Sequence, residues 1–161
     1  YLENNGVDFP IVSTGGQYHE QLTKLLNGRK LDAVFNSVGG KTFKKDLKLL
    51  DKGGRFLLYG LADRLSMRKG FLGTFELLWK FGLITPIQLL INSQMVAGIN
   101  MLRIADYKPK TLNRCLEKVV EMTLSNELSP KKGGIFSVED ISKAHSLLES
   151  RSSVGKIIVN W

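Results

Sequence analysis

The sequence predicts an α/β fold built on a parallel sheet, and three observations point there. Apolar runs of strand length, residues 32–38, 55–60 and 94–100, alternate with longer helical patterns, which is the grammar of parallel βαβ units. Two of these runs end in small polar residues and glycine: Ser37-Val38-Gly39-Gly40 and Tyr59-Gly60-Leu61. After Glu127 a further strand–helix–strand pattern closes the chain.

Residues 1–6, "YLENNG", read as the last turn of a helix, with Gly6 where a left-handed residue ends it. A fold seldom opens on a last turn, so the chain is expected to begin in the middle of a larger fold. Phe9–Val12 reads as a short strand, Gly15-Gly16 as a loop, and a helix follows around His19–Leu26. Strand 32–38 passes through Gly39-Gly40 into a helix near 41–51 with Phe43, Leu47 and Leu50 on one side. Gly53-Gly54 mark a turn into strand 55–60. In parallel units both strand ends fall on one edge of the sheet, where glycine lets a backbone approach a ligand closely. Ser37–Gly40 and Tyr59–Leu61 are therefore the candidate ligand rim.

Residues 71–91 have the length of a membrane span, yet Glu76 and Lys80 sit near the middle at about 2.5–3.5 kcal/mol each on insertion scales, and Pro86 interrupts the run. Their i, i+4 spacing suits the wet face of a soluble helix, with Phe71, Phe75, Leu78 and Phe81 opposite and Trp79 at the margin. Thr85 is placed to cap a second helix that starts at Pro86. Downstream, a helix near 109–126 carries Leu112, Leu116, Val119 and Val120 as an apolar stripe, and Cys115 beside it reads as a buried, inert thiol. Lys132-Gly133-Gly134 leads into strand Ile135-Phe136. Ser137 and Asp140 form a capping-box signature for a helix with Val138, Ile141, His145 and Leu148 on one face. His145 there reads as a packed structural residue. "GKIIVNW" is the closing strand.

With 161 residues and 43% hydrophobic content the chain can bury a core, and a single cysteine excludes an internal disulfide framework. The expected setting is reducing and cytoplasmic. Of the net charge of +8, residues 41–70 supply +6, nine Lys/Arg against three Asp. Aromatic residues do not interleave these charges as a single-strand stacking surface requires, so nucleic acid is not an expected partner. A G-x-G-x-x-G run, a P-loop, metal-ligand spacing and a Ser-His-acid set are all missing from the sequence, so no catalytic residue and no metal ligand are assigned.

Three stretches taken in order, "LDAVFNSVGGKTF", "LKLLDKGGRFLLYG" and "IFSVEDISKAHSLLESRSSVGKIIV", resemble the quinone oxidoreductases (zeta-crystallin-like group) of the medium-chain dehydrogenase/reductase superfamily. Residues 71–91 followed by "MVAGINML" are similar to the vesicle amine transport protein branch of that group. The resemblance implies a zinc-independent reductase that transfers hydride from NADPH to a quinone or an α,β-unsaturated carbonyl. It implies a partial Rossmann doubly wound domain over 1–128, without its first βαβ unit, and a β-α-β segment over 129–161 that returns to a GroES-like catalytic domain. Ser37, Val38, Gly39 and Gly40 would lie near the adenosine side or diphosphate of the cofactor, and Tyr59, Gly60 and Leu61 near the nicotinamide half. Phe75, Trp79 and Phe81 would roof the substrate pocket, and Gly155-Lys156 would lie on the returning strand near the cleft. The group dimerises through the strand matching 94–100, and no charge or proline lies between Gln94 and Asn100 to blunt that edge.

Asn36 stands where relatives usually carry Asp, which changes the charge at the rim, and Ser13 stands where many place an adenine-packing Tyr. The glycine-rich fingerprint and the residues that choose between NADPH and NADH are expected upstream of Tyr1. Two alternatives stay open. One is a catalytically silent protein on the same fold that docks on an anionic membrane through its basic stretch and the helical hairpin at 71–91; the other is a relative of zinc-dependent alcohol dehydrogenases.

Overall fold

The computed structural model describes residues 2–12, 17–61, 79, 81–150 and 152–161. Ser13, the Gly15-Gly16 loop, Phe75 and the Glu76/Lys80 pair lie outside the described residues. Two compact units divide the chain, Tyr1–Met101 and Leu102–Trp161.

Within the first unit the elements run α1 (Tyr18–Leu26), β1 (Leu31–Asn36), α2 (Gly40–Leu47), β2 (Leu50–Leu58), α3 (Pro86–Asn92) and β3 (Met95–Gly98). All strand pairs are parallel, in the order β1-β2-β3, with Val34 beside Phe56 beside Val96 and Asn36 beside Leu58 beside Gly98. Residues on this face meet Phe43 and Leu47 of α2 together with Phe81 and Ile84. Phe56 is fully buried at the centre. The Phe43 ring meets Phe56 edge-on at 4.8 Å and Phe81 at 4.9 Å, geometries that aromatic quadrupoles favour. The opposite sheet face carries exposed Ala33, Phe35, Arg55 and Met95.

Unit two begins within α4 (Met101–Tyr107) and continues through α5 (Pro109–Leu124), β4 (Lys132–Ser137), a 3-10 turn (Val138–Asp140), α6 (Ile141–Glu149) and β5 (Lys156–Asn160). Strands β4 and β5 pair in parallel, with Ile135 beside Ile158 and Phe136 beside Val159, and α6 makes the crossover with Ala144 buried. The closing strand–helix–strand pattern of the sequence is thus present. Gly155, at φ +100°, packs against the Lys131 carbonyl, where a Cβ would not fit.

Several local expectations need correction. Phe9–Val12 is not a strand: Pro10 has no N–H to pair, and Val12 is largely exposed. Gly53-Gly54 lie inside β2 rather than in a turn before it. Leu31 pairs with Leu50 but Ala33 with Arg55, so β2 bulges, and Gly53 takes φ +80° to allow it. A Cβ on Gly54 would stand 2.7 Å from Cγ of Leu50. Ser137 makes no capping bond through its side chain. His145 and Cys115 are both exposed, because the helix faces that bear them leave Leu148, Leu116, Val119 and Val120 half-exposed or more. Thr85 caps α3 as expected, its hydroxyl accepting from Gln88 N–H at 3.3 Å with Pro86 in the first turn. Among the described residues no helix is long and apolar enough to cross a membrane.

Because Phe56 has no solvent contact and touches the rings and aliphatic chains of three elements, its truncation leaves a cavity that the strand cannot collapse into. Phe56→Ala is expected to cost about 3–5 kcal/mol in urea unfolding of the intact protein. A loss below about 1 kcal/mol would show that the core lies elsewhere.

Candidate functional site

The carboxyl ends of β1 and β2 meet at one rim, and a buried amide organises it. Asn36, 5% exposed, ends β1. Its Oδ1 accepts the N–H of Val38 at 3.0 Å and of Gly39 at 2.7 Å, an Asx-type turn that bends the chain into α2. Its Nδ2 donates to Thr42 Oγ1 at 2.8 Å and to Asp46 Oδ2 at 2.6 Å, both on α2. All four hydrogen-bonding positions of the amide are therefore used, and the two accepted N–H groups identify which side-chain atom is oxygen. The Thr42 hydroxyl in turn donates to Gly39 O at 2.9 Å. Asp46 Oδ1 accepts the Tyr18 hydroxyl of α1 at 2.6 Å. Burial first, then that hydrogen bond to the carboxylate, pushes the Tyr18 phenol above its ordinary range, so the phenol stays protonated and donating.

The second loop joins the first by backbone. Tyr59 N–H donates to Asn36 O at 3.0 Å, and a Cβ on Gly60 would stand 2.6 Å from Ser37 O. Gly39 has φ +75° and ψ −144°, a conformation essentially reserved for glycine, and a Cβ there would stand 2.7 Å from Leu61 Cδ2 and 3.2 Å from Phe81 Cζ. The seven rim residues proposed from the sequence are thus brought together. The geometry adds what the sequence did not express: Gly39 and Gly60 permit loop-to-loop packing, so a side chain at either position disturbs the fold before it reaches a ligand.

Among the rim residues Ser37, Tyr59 and Leu61 are exposed, Val38 is half-buried, and Gly39 and Gly40 are buried. The first turn of α2 lies at the same rim, and a helix N-terminus directs N–H groups and partial positive charge outward. These features fit one end of an anionic dinucleotide. Of the residues expected to roof a substrate pocket, Trp79 is 76% exposed, whereas the Phe81 ring packs on Phe43 in the core. Lys156 opens β5 in the second unit. Among the described residues no three His, Cys, Asp or Glu side chains group to hold a metal ion. Sequence reasoning missed Tyr18, Thr42 and Asp46; the i, i+4 spacing of Thr42 and Asp46 on the inner side of α2 was the available signal.

The network also explains why Asn stands at position 36. A carboxylate there would face Asp46 Oδ2 across 2.6 Å, with no proton between them. Asn36→Asp is expected to destabilise the protein by about 3 kcal/mol at neutral pH. Like-charge repulsion raises the folded-state pKa of the new carboxyl above its unfolded value. The loss is therefore small at low pH and grows as pH rises through the folded pKa. Thermal melts at pH 5 and pH 8 check it: a penalty that is equal at both, or larger at pH 5, contradicts the arrangement.

Comparison with known proteins places this architecture. The zinc-binding dehydrogenase family model matches residues 5–159. The synaptic vesicle membrane protein VAT-1 homolog of Mus musculus is 23% identical over 159 residues, covering 98% of this chain and 39% of that relative. JamJ enoyl reductase, in its apo form, superposes with a TM-score of 0.70 at 18% identity, over 99% of this chain and 43% of that one. CurA from Vibrio vulnificus in complex with NADPH gives 0.64 at 23% identity, over 99% and 45%. The chain thus spans about two fifths of each of these three relatives. The solved structures share the fold, and the family match extends over nearly every element described above. This chain belongs to the zinc-binding dehydrogenase family, within the medium-chain dehydrogenases/reductases and on their VAT-1 branch.

Proposed function

We propose that this chain forms much of the cofactor-binding domain of a zinc-independent oxidoreductase that transfers hydride from NADPH to a quinone or an α,β-unsaturated carbonyl. The observation that carries the reading is the rim itself: on a dehydrogenase-family chain, two parallel strand ends and a helix N-terminus converge where an open α/β sheet takes its ligand. A bound nicotinamide supplies the hydride. Ser37 and Val38 would hold the adenosine side or diphosphate, Gly39 and Gly40 would let the backbone approach it, and Tyr59, Gly60 and Leu61 would flank the nicotinamide half. Exposed Trp79 would line the approach of the acceptor. An enoyl reductase and an NADPH complex among the structural relatives support the reductase and NADPH parts of this reading.

Ser37 is exposed and outside the amide network, so it can be changed without dismantling the turn. Ser37→Glu places a charge beside the expected phosphates, and NADPH affinity in the intact protein is expected to fall at least about tenfold, or 1.4 kcal/mol, with the melting temperature unchanged. Fluorescence titration with NADPH and NADH, alongside NADPH oxidation by a quinone and an enone, is the check. An unchanged dissociation constant rejects the rim, and no oxidation with either acceptor class rejects the reaction. Metal analysis of the same preparation tests zinc independence.

The reading extends to assembly. Strand β3 lies at the edge of the sheet among the described residues, and its partner-free side bears neither charge nor proline. We propose that two copies pair along it about a two-fold axis, giving one continuous sheet. Ala97→Pro removes a ladder donor and is expected to shift the dimer towards monomer. Light scattering at micromolar concentration decides, and a monomer mass for the unmodified protein ends the proposal.

A further inference from the structure

Four lysines meet at the other rim of the same sheet. A cavity of about 610 Å³ opens at the amino-terminal ends of the strands, lined by Lys30 before β1, Lys44 on α2, Lys48 just past α2, and Lys52 near the start of β2. Its volume lies in the range of small-molecule sites. Asp51 is the one carboxylate among the described lining residues, and its Oδ1 accepts the neighbouring Lys52 N–H at 2.7 Å. The lining therefore carries a net charge of +3.

Two of these ammonium groups have structural work. Lys30 Nζ donates to the Lys48 carbonyl and Lys44 Nζ to the Trp79 carbonyl, each at 2.8 Å, which leaves two N–H donors on each. The Lys48 and Lys52 ammonium groups make no such bond among the described residues. No ion pair involves any of the four among the described residues, although exposed pairs form elsewhere on the chain, as between Lys118 and Glu121. Self-repulsion among uncompensated lysines destabilises the compact state, and an anion bound between them would relieve it. The floor is of the opposite character. Leu47 and Phe81, both part-exposed, line it beside Leu83, which is 95% exposed. A bare ion would use the lysines and leave this apolar surface in water.

We propose that this cavity binds a phosphate monoester with an apolar substituent, the dianionic head held by Lys48 and Lys52 with help from Lys30 and Lys44, and the apolar part laid on Leu47, Phe81 and Leu83. A dianion matches several ammonium donors better than a single carboxylate does. The lysines lie at the opposite end of the sheet from the glycine-bearing rim, although Phe81 adjoins both, and the site does not rest on the reductase reading. A soluble metabolite or a lipid headgroup would present the same chemistry.

The test is calorimetry of the intact protein with octyl phosphate below its micelle concentration, with inorganic phosphate and octyl glucoside as comparisons. Octyl phosphate is expected to bind at one site, at least tenfold tighter than either comparison, and more weakly as salt rises. Lys48→Gln with Lys52→Gln is expected to weaken it at least tenfold, while Lys48→Arg with Lys52→Arg retains it. Both lysines are exposed, so the Arg variant should melt with the unmodified protein and the Gln variant, relieved of repulsion, no lower. Co-sedimentation with phosphatidic acid vesicles that is lost in the Gln variant would identify the source as a lipid headgroup; its absence beside octyl phosphate binding would identify a soluble monoester. No binding, equal binding of inorganic phosphate, an unaffected Gln variant, or displacement by NADPH would overturn the proposal.

Discussion

The architecture of the first unit depends on one buried amide. Asn36 ends a strand, turns the chain, and grips the following helix at Thr42 and Asp46, while its own carbonyl receives the next loop through Tyr59 N–H. Few side chains could do this. The position needs an acceptor for two backbone N–H groups and a donor for a hydroxyl and a carboxylate within one planar group, and only an amide offers both. Removing it would leave several buried polar groups unpaired, each worth about 1–3 kcal/mol. Through Asp46 the same network reaches Tyr18, so α1 is tied to the turn although Tyr18 and Asn36 are 18 positions apart.

That arrangement recasts the glycines. Glycine at a strand's carboxyl end is often taken as room for a ligand. Here the space is used twice, since Gly39 and Gly60 let two loops touch, and Leu61 occupies the place a Cβ of residue 39 would take. The rim is consequently preformed, with its exposed groups Ser37 and Tyr59 presented by loops whose backbones brace one another. Preorganisation of this kind suits a binding edge, because little conformational freedom remains to be lost when a ligand arrives.

Charge is distributed with a similar economy. The basic stretch is one surface in sequence, but the fold sorts it. Lys44 lies in the last turn of α2 and Lys48 caps its carboxyl end, where a helix dipole favours cations, and Lys30 comes from a different segment to join them. The sheet therefore has two chemically distinct ends, one organised by an amide and glycines, the other by ammonium groups over an apolar floor.

Much was legible in the sequence by itself: the α/β class, the parallel units, the three sheet strands to within two residues at every end but the start of β2, which lies five residues earlier in what reads as helix and turn, the Thr85 cap, and the closing strand–helix–strand. These follow from local periodicity and cap chemistry, which need no knowledge of distant residues. The likeness to a dehydrogenase family was also readable, in the ordered motifs around Gly39, Gly60 and Gly155. Tertiary structure alone decided the rest. The bulge at Gly53 depends on register with β1, and the failure of Phe9–Val12 to form a strand depends on pairing that a local pattern does not contain. The exposure of Cys115 and His145 turns on what packs against α5 and α6. The bonds from Asn36 to Asp46 and from Asp46 to Tyr18, and the meeting of Lys30 with Lys44, Lys48 and Lys52, join residues 10 to 28 positions apart; such contacts are set by how helices lie on a sheet, and no local pattern encodes them.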